Sequence, residues 1–277
     1  IPTNGLVGFF PFNSNAQDRS GYNYHGWIST AGVTPTLGLI AYYPFSGNAN
    51  DESGSGYNGV VNGATLTTDR YGNVDKAYSF DGIDDFIIVN DEIISGTTPR
   101  TVSVWIKDEL PTARDCLVFH LGSQATSGGN FAIARAKNTR EFYFNGHGTA
   151  ANDLMTGVIS AGNWRQHTIT FDGTTVKYYI DGSLKASGAK TLDTYNGKLE
   201  IGKNNLGVPQ FFQGKVDDFR IYNRVLSASE VTELYNAESP SGSGNGAVFA
   251  QDRFGNIRSS ISMDGIDDQV AWGKTAA

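Results

Sequence analysis

The loop GNANDESGSGYNG, residues 47–59, is the best candidate for a binding site in this sequence. Its asparagine, aspartate and serine residues are separated by glycines, which tolerate positive φ and can turn backbone carbonyl groups inward. Calcium takes about six to eight oxygen ligands from carboxylates, amides and carbonyls, and such a loop can supply them. The spacing is not that of an EF-hand. The alternative is a surface turn in which asparagine and aspartate bind their own backbone.

Short strands must position this loop, because the composition favours them over helices. The chain has 34 glycines and 12% aromatic residues, against 18% charged residues. Glycine-rich turns between runs of β-branched and aromatic residues are typical of strands that arrive at short intervals, as in β-sandwiches and jelly rolls. The predicted strands lie within residues 77–82, 85–90, 101–108, 116–122, 130–137, 140–146, 165–173, 176–188, 197–203 and 214–223.

Several turns and one helix carry clear sequence signals. Asp-Gly at 172–173 and again at 181–182 predicts two tight hairpins. The strands on either side of the GID turn, residues 82–84, are predicted to pair with each other as a hairpin. Ser227 followed by Glu230 is a capping box, and it predicts a short helix within residues 226–236.

The chain also contains an internal repeat. Residues 5–27 resemble residues 38–60, and DRFGNIRSSISMDGIDD at 252–268 resembles DRYGNVDKAYSFDGIDD at 69–85. The middle of the chain therefore holds one complete unit, residues 38–237. Residues 1–32 and 245–277 would be a split partial copy of the same unit, either an outer domain that receives the central one as an insertion or extensions of its sheets. The outer copy lacks a counterpart of residues 100–236, so further chain or another molecule is expected to complete it.

Taken together, GLIAYYPFSGNANDESGSGYNG, YSFDGIDDFI, NWRQHTITFDGTTVKYYIDG and GKVDDFRIYNRVLSASEV resemble the laminin-G-like, concanavalin A-like lectin/glucanase domains of bacterial extracellular proteins. The resemblance implies an all-β fold, a two-sheet antiparallel jelly-roll β-sandwich with one short C-terminal helix. It also implies a structural Ca²⁺ ion between the early loop and the last strand. The ligands expected from it are Asn48, Asp51, Tyr57 and Asp217.

The geometry of a strand affects which aspartate of the last strand can bind the ion. Neighbouring side chains of a strand point to opposite faces, so Asp217 can reach the ion while Asp218 faces elsewhere. Asn15 and Asp18 occupy the matching places in the outer copy. In the DGIDD turn, residues 81–85, the acidic residues are expected to shape the bend and bind backbone N–H groups rather than to perform chemistry.

Sugar binding needs aromatic surfaces with polar groups at one edge. The candidates are Tyr143, Asn145 and His147 in the segment EFYFNGHG, together with Asn204 and Gln210. Glycoside hydrolysis by retention needs two carboxylates about 5 Å apart. In enzymes of this fold they lie on one strand as E-x-D-x-E or E-x-D-x-x-E, and no such run is present. The chain is therefore predicted not to be an enzyme.

Net charge and the distribution of apolar residues limit the kinds of partner that this chain is expected to bind. The net charge of −7 argues against nucleic acid, which requires a basic surface. No apolar run approaches the roughly 20 residues of a membrane span. The one cysteine, Cys116, is predicted to be a small buried side chain. We therefore expect a secreted or cell-surface, non-catalytic module that binds a polysaccharide or glycan within a larger bacterial protein. The alternative is a structural or adhesin repeat that assembles with another copy of the chain through strand pairing, without binding sugar.

Overall fold

A computed structural model gives the architecture of the chain. It describes residues 34–109, 115–123, 126–159, 162–195, 197–204 and 210–240, together with four short strands near the two ends. The strands are β1 (Gly26–Trp27), β2 (Leu39–Tyr43), β3 (Val60–Asn62), β4 (Thr65–Thr67), β5 (Ala77–Asp81), β6 (Phe86–Val89), β7 (Arg100–Asp108), β8 (Cys116–Gly122), β9 (Asn130–Arg135), β10 (Glu141–Asn145), β11 (Leu154–Ile159), β12 (Trp164–Phe171), β13 (Thr175–Ile180), β14 (Ser183–Ala189), β15 (Leu199–Ile201), β16 (Lys203–Asn204), β17 (Gln210–Phe211), β18 (Gln213–Tyr222), β19 (Val248–Ala250), β20 (Ser260–Ser262) and β21 (Ala271–Trp272). The 3₁₀ turn Ala150–Asn152 and the helix α1 (Ala228–Glu238) complete the described elements.

The central unit, residues 36–232, is an antiparallel β-sandwich. One sheet has the order β11-β10-β9-β8-β15-β6-β3. The other has the order β14-β13-β12-β7-β18-β5-β4, with β2 added alongside β18. Apolar side chains from both inner faces meet in one core, in which Phe119 packs edge-on against Phe219. The predicted two-sheet sandwich with one short helix is therefore confirmed.

The Asp-Gly hairpins form as the sequence predicts. β12 pairs with β13 across Asp172–Gly173, and β13 pairs with β14 across Asp181–Gly182. Asp181 and Gly182 both have positive φ, at 51° and 69°. This conformation gives the turn a twist that matches the flanking strands, and Asp-Gly adopts it readily.

The predicted hairpin across the GID turn is wrong. β5 pairs with β4 and β18 in one sheet, whereas β6 pairs with β3 and β15 in the other. The turn therefore carries the chain from one layer of the sandwich to the other. Both strands find better partners far away in sequence, a choice that a local pattern cannot indicate.

Helix α1 begins with the predicted capping box. The N–H of Glu230 donates to Oγ of Ser227 at 3.2 Å, and the N–H of Ser227 donates to Oε2 of Glu230 at 2.8 Å. Arg224 adds a salt bridge to Glu230 at 2.6 Å, with both side chains about one-quarter exposed. This side-chain hydrogen bond lowers the pKa of Glu230 to about 2.

The ends of the chain are grouped as a second unit, residues 1–35 with 233–277. In it β1 pairs antiparallel with β21, with Gly26 opposite Trp272, and β19 pairs with β20. Whether these pieces are a split copy of the central domain stays a prediction. Asn15 and Asp18 lie outside the described residues.

Candidate functional site

A groove of about 240 Å³ lies on the outer face of the β11–β3 sheet. Four of the five residues predicted to bind carbohydrate line it, although they come from separate parts of the sequence. The complete lining in the described part of the chain is Asp115, Cys116, Leu117, Tyr143, Asn145, Asn204 and Gln210. The groove is therefore the strongest candidate for a binding site.

Two small side chains on β9 pack against residues of the groove's lining. Ala132 and Ala134 point to the outer face, while Ile133 between them belongs to the core. Ala134 lies opposite Tyr143 of β10 on one side and Leu117 of β8 on the other. Leu117 and Tyr143 pack with both alanines in a small cluster separate from the main core and leave them no more than 1% exposed.

Polar groups stand at the edges of this hollow. Tyr143 is a partly buried aromatic surface, and burial, reinforced by the charges of Asp153 and Asp115, raises its pKa to about 12. Nδ2 of Asn204 and Oε1 of Gln210 lie 3.4 Å apart across the β16–β17 hairpin. The groove thus combines one aromatic side chain with amides that both donate and accept hydrogen bonds, which is the chemistry of sugar recognition.

The fifth carbohydrate candidate, His147, lies apart from the other four in the described structure. His147 is not among the described lining residues; its carbonyl oxygen accepts from the Gly128 N–H at 3.1 Å and from Nδ2 of Asn152 at 2.8 Å, so it closes a turn. Asp115, Cys116 and Leu117 also line the groove and were not predicted. The alternation of side chains along β8 indicates that Leu117 faces away from the core. It does not indicate that this outer face contains a groove.

In the early loop, the predicted metal ligands are engaged with the loop's own backbone. Oδ1 of Asp51 accepts from the N–H of Tyr42 and of Ser53, both at 2.9 Å, and its Oδ2 accepts from the N–H of Tyr57 at 3.1 Å. These hydrogen bonds outweigh burial and lower the pKa of Asp51. The carbonyl oxygen of Tyr57 accepts from the Tyr43 hydroxyl, and Oδ1 of Asn48 accepts from the Asn50 N–H at 2.8 Å.

On the last strand, Asp217 and Asp218 face one guanidinium group. Nη1 of Arg70 lies 2.5 Å from Oδ2 of Asp217, and its Nη2 lies 2.6 Å from Oδ2 of Asp218. The expectation that the two carboxylates point to opposite faces is wrong, because a β-bulge interrupts the pairing of β18 with β7 here and Asp218 has a φ of 46°. A bulge removes the strict alternation of a strand.

Arg70 is held tightly in this position. Its side chain is 3% exposed, and its guanidinium carbon lies 4.8 Å from the centre of the Trp105 ring and 4.5 Å from that of Tyr71. Burial raises the pKa of Asp217 to about 7, which the positive charge of Arg70 only partly offsets.

The arrangement of these donors fits a guanidinium group better than Ca²⁺. The oxygens of Asp51 already accept three backbone N–H groups, and those of Asp217 and Asp218 already face a buried cation. The described contacts link Asp51 and Asp218 only indirectly, through Tyr42, whose N–H binds one and whose hydroxyl binds the other at 2.8 Å. A calcium ion held by Asn48, Asp51, Tyr57 and Asp217 stays a prediction.

A second acidic group lies in the turn between β5 and β6. Carboxylate oxygens of Asp81, Asp84 and Asp85 lie within 4.8 Å of one another. Asp81 Oδ1 accepts from the Ile83 N–H at 2.8 Å, and Asp85 Oδ2 accepts from the Asp81 N–H at 2.9 Å. These bonds give the turn the structural role expected from the sequence.

The fold and the outer-face groove define a class of protein, the lectin-like jelly rolls. Residues 81–232 match the concanavalin A-like lectin/glucanases superfamily, in its laminin-G division, and the chain belongs to this family. Usherin of Rattus norvegicus is 27% identical over 153 residues, and that of Homo sapiens is 24% identical over 149. The matched region is 50% of this chain and 3% of each usherin, so the chain corresponds to a small part of those proteins.

Solved structures with the same fold include domain 4 of AbnA, a GH43 extracellular arabinanase from Geobacillus stearothermophilus, in complex with arabinotriose. It is 25% identical with a TM-score of 0.56, and the match covers 71% of this chain and 98% of that domain. A Trypanosoma rangeli sialidase is 19% identical with a TM-score of 0.56, over 73% of this chain and 33% of that one. The latter likeness shows the fold alone.

Proposed function

We propose that the chain is a non-catalytic module that binds an oligosaccharide or a segment of polysaccharide in the outer-face groove. The observation that carries the proposal is the meeting of Tyr143, Asn145, Asn204 and Gln210 around one hollow. Its volume of about 240 Å³ suits a single sugar unit or the end of a chain. The similarity to an arabinanase domain in complex with arabinotriose makes arabinose oligomers the first probes.

The described lining of the groove has no pair of carboxylates, which supports a non-catalytic role. Among the lining residues that the structure describes, Asp115 is the only acid. Glycosidases of the common types place an acid and a second carboxylate about 5–9.5 Å apart on either side of the bond that is cleaved. A secreted or cell-surface location follows from the same proposal, with support from the extracellular arabinanase. In the described part of the chain, no helix is long and apolar enough to cross a membrane.

Calorimetric titration with arabinotriose and a panel of arabinans, β-glucans and galactans tests the proposal. We expect N145A and Q210A to weaken binding by about tenfold each, because each removes hydrogen bonds to the ligand. The matched control is N62A, an asparagine on β3 at the opposite edge of the same sheet. Failure of the unaltered protein to bind any glycan in the panel would overturn the proposal, and release of reducing ends would overturn its non-catalytic part.

Exposed edge strands favour a second candidate function, assembly through strand pairing. β11 and β14 are edge strands of the two sheets, and Ile159 and Leu184 on them are 59% and 52% exposed. An unpaired edge offers backbone groups to another chain. Light scattering coupled to size exclusion distinguishes the candidates: a monomer at every concentration excludes strand pairing between copies.

A further inference from the structure

A chain of three polar side chains lies beside the groove. Nδ2 of Asn145 donates to Oδ1 of Asp153 at 3.0 Å, and Nδ2 of Asn130 donates to Oδ1 of Asn145 at 3.1 Å. Asp153 lies between the 3₁₀ turn and β11, and Asn130 begins β9. Of the three, only Asn145 lines the groove.

The carboxylate determines the direction of every hydrogen bond in this chain. An ionised carboxylate only accepts, so Asn145 must direct its NH₂ group towards Asp153. The side-chain oxygen of Asn145 then faces Asn130, and Asn130 must donate to it through its own NH₂ group. The charge on Asp153 therefore orients both amides.

This orientation is unfavourable for Asn130 itself. Asn130 is therefore not the residue that determines it. Asn130 is fully buried, and its Oδ1 has no hydrogen-bond partner in the described part of the chain. A buried acceptor without a partner is unfavourable. If the surroundings of Asn130 determined the direction of the bonds, its oxygen would be the satisfied group. The constraint comes from the Asp153 end.

We propose that Asp153 is a positioning residue that presents Asn145 to the ligand with one N–H and one oxygen lone pair free for hydrogen bonding. In these contacts the side-chain amide of Asn145 uses one of its two N–H donors and one of the two lone pairs on its oxygen. One N–H and one lone pair are left. A fixed donor next to a fixed acceptor matches two neighbouring hydroxyls of a sugar, one accepting and one donating. The site would therefore favour sugars with a vicinal diol. This inference rests on the proposed function.

The charges around Asp153 define how it responds to pH. Burial raises its pKa, while the Gly146 N–H, Asn145 and the positive charges of Lys190 and His147 act in the opposite direction. Nζ of Lys190 donates to the carbonyl oxygen of Asp153 at 2.6 Å. Tyr143 also faces this charge. Once protonated, the carboxyl group can donate as well as accept, and it no longer fixes the amide of Asn145.

Arabinotriose binding by the full chain tests the inference. We expect D153A to weaken binding about tenfold, as for one lost hydrogen bond, and D153N to recover part of that loss because its amide oxygen still accepts. In the unaltered protein, affinity should fall as the solution is acidified, because burial raises the pKa of the Asp153 carboxyl group and its protonation releases the amide of Asn145. D153N should lack this acidic step. The matched control, D91N, removes an exposed carboxylate on a loop after β6.

The side-chain amide signals of Asn145 and Asn130 in NMR spectra provide a readout that does not depend on the ligand. We expect both pairs of signals to move together in D153A but not in D91N. Unchanged signals, or binding by D153A equal to that of the unaltered protein at every pH, would overturn the inference. If no glycan binds while the signals move as expected, the proposed function fails and the orienting role of Asp153 stands.

Discussion

At the scale of single residues, Arg70 is the side chain that most changes the interpretation of the sequence. It places a permanent positive charge between two carboxylates that the sequence assigned to a metal site. A guanidinium group remains charged throughout the accessible pH range and presents its donors in a planar fork suited to carboxylates. The junction between the turn after β4 and the last strand can therefore form without an ion.

Removing this cation should be costly. We expect R70Q to lower the free energy of unfolding by about 3 kcal/mol, because it leaves the buried Asp217 carboxylate without its counter-charge and Asp218 with only the 3.4 Å contact to Arg220. The control is R165Q, which breaks the Arg165–Asp181 pair, whose side chains are 34% and 27% exposed. That change should cost less than about 1 kcal/mol. Denaturant unfolding followed by circular dichroism measures both.

Chelation separates Arg70 from calcium as the source of the positive charge. If Arg70 alone supplies the positive charge, the thermal midpoint in excess EDTA should equal that in calcium chloride, since a ligand stabilises the fold only if it binds the folded state. A drop of several degrees in EDTA would instead establish the ion. Variants D217N and D84N would then show which of the two acidic groups holds it.

At the scale of elements, β18 pairs with two different strands along one of its sides. Along one side, β5 pairs with Gln213–Val216 and β2 pairs with Phe219–Tyr222. Asp217 and Asp218 fall between these partners, and Arg70 binds them there. The bulge in β18 therefore serves to turn both carboxylates towards one cation while the strand changes partner.

Helix α1 offers a test at the same scale. E230Q should lower the free energy of unfolding by about 1 kcal/mol at neutral pH, because it weakens the capping box and removes the charge that Arg224 binds. The folded-state pKa of Glu230, about 2, lies below the ordinary value of 4.5. The stabilisation is therefore complete above about pH 4.5 and is lost as the pH falls towards 2. Equal stability of the two proteins at neutral pH would contradict the prediction.

At the scale of the whole molecule, the central unit has its own core. The main hydrophobic cluster is drawn from residues between Ala41 and Ile221, and every strand of both large sheets lies between Leu39 and Tyr222. A shortened chain of residues 36–240 should unfold cooperatively and bind arabinotriose with the affinity of the full chain. Thermal unfolding and calorimetry measure this. A fragment with expanded, non-cooperative behaviour would show that the end segments are needed for folding.

The sequence predicts local features well and long-range pairing poorly. The Asp-Gly turns and the Ser227–Glu230 cap follow from local backbone chemistry, and they form as expected. The GID turn joins two sheets rather than two paired strands, because strand partners are chosen by distant packing. Likewise, no local signal shows that a bulge would bring Asp217 and Asp218 to the same side.

Four residues of the candidate groove could be predicted from the sequence, but not that they lie close together. Tyr143, Asn145, Asn204 and Gln210 could be named because aromatic and amide side chains at strand ends suit sugar binding. Their meeting in space depends on the order of strands in the sheet, which the sequence does not reveal. The orienting chain from Asp153 to Asn130 was not visible either, because it joins three segments through side chains alone.

The alternation along β9 separates the side chains that pack against the groove's lining from those that hold the two sheets together. Ala132 and Ala134 pack against Leu117 and Tyr143 of the groove's lining, while Ile133 and Arg135 point the other way, Ile133 into the main core and Arg135 to a salt bridge with Asp108. A larger side chain at either alanine would press first on Leu117 and Tyr143, which line the groove, and not on the side chains that hold the two layers together. Selection for a new sugar could therefore begin at these two positions, with the rest of the scaffold left as it is.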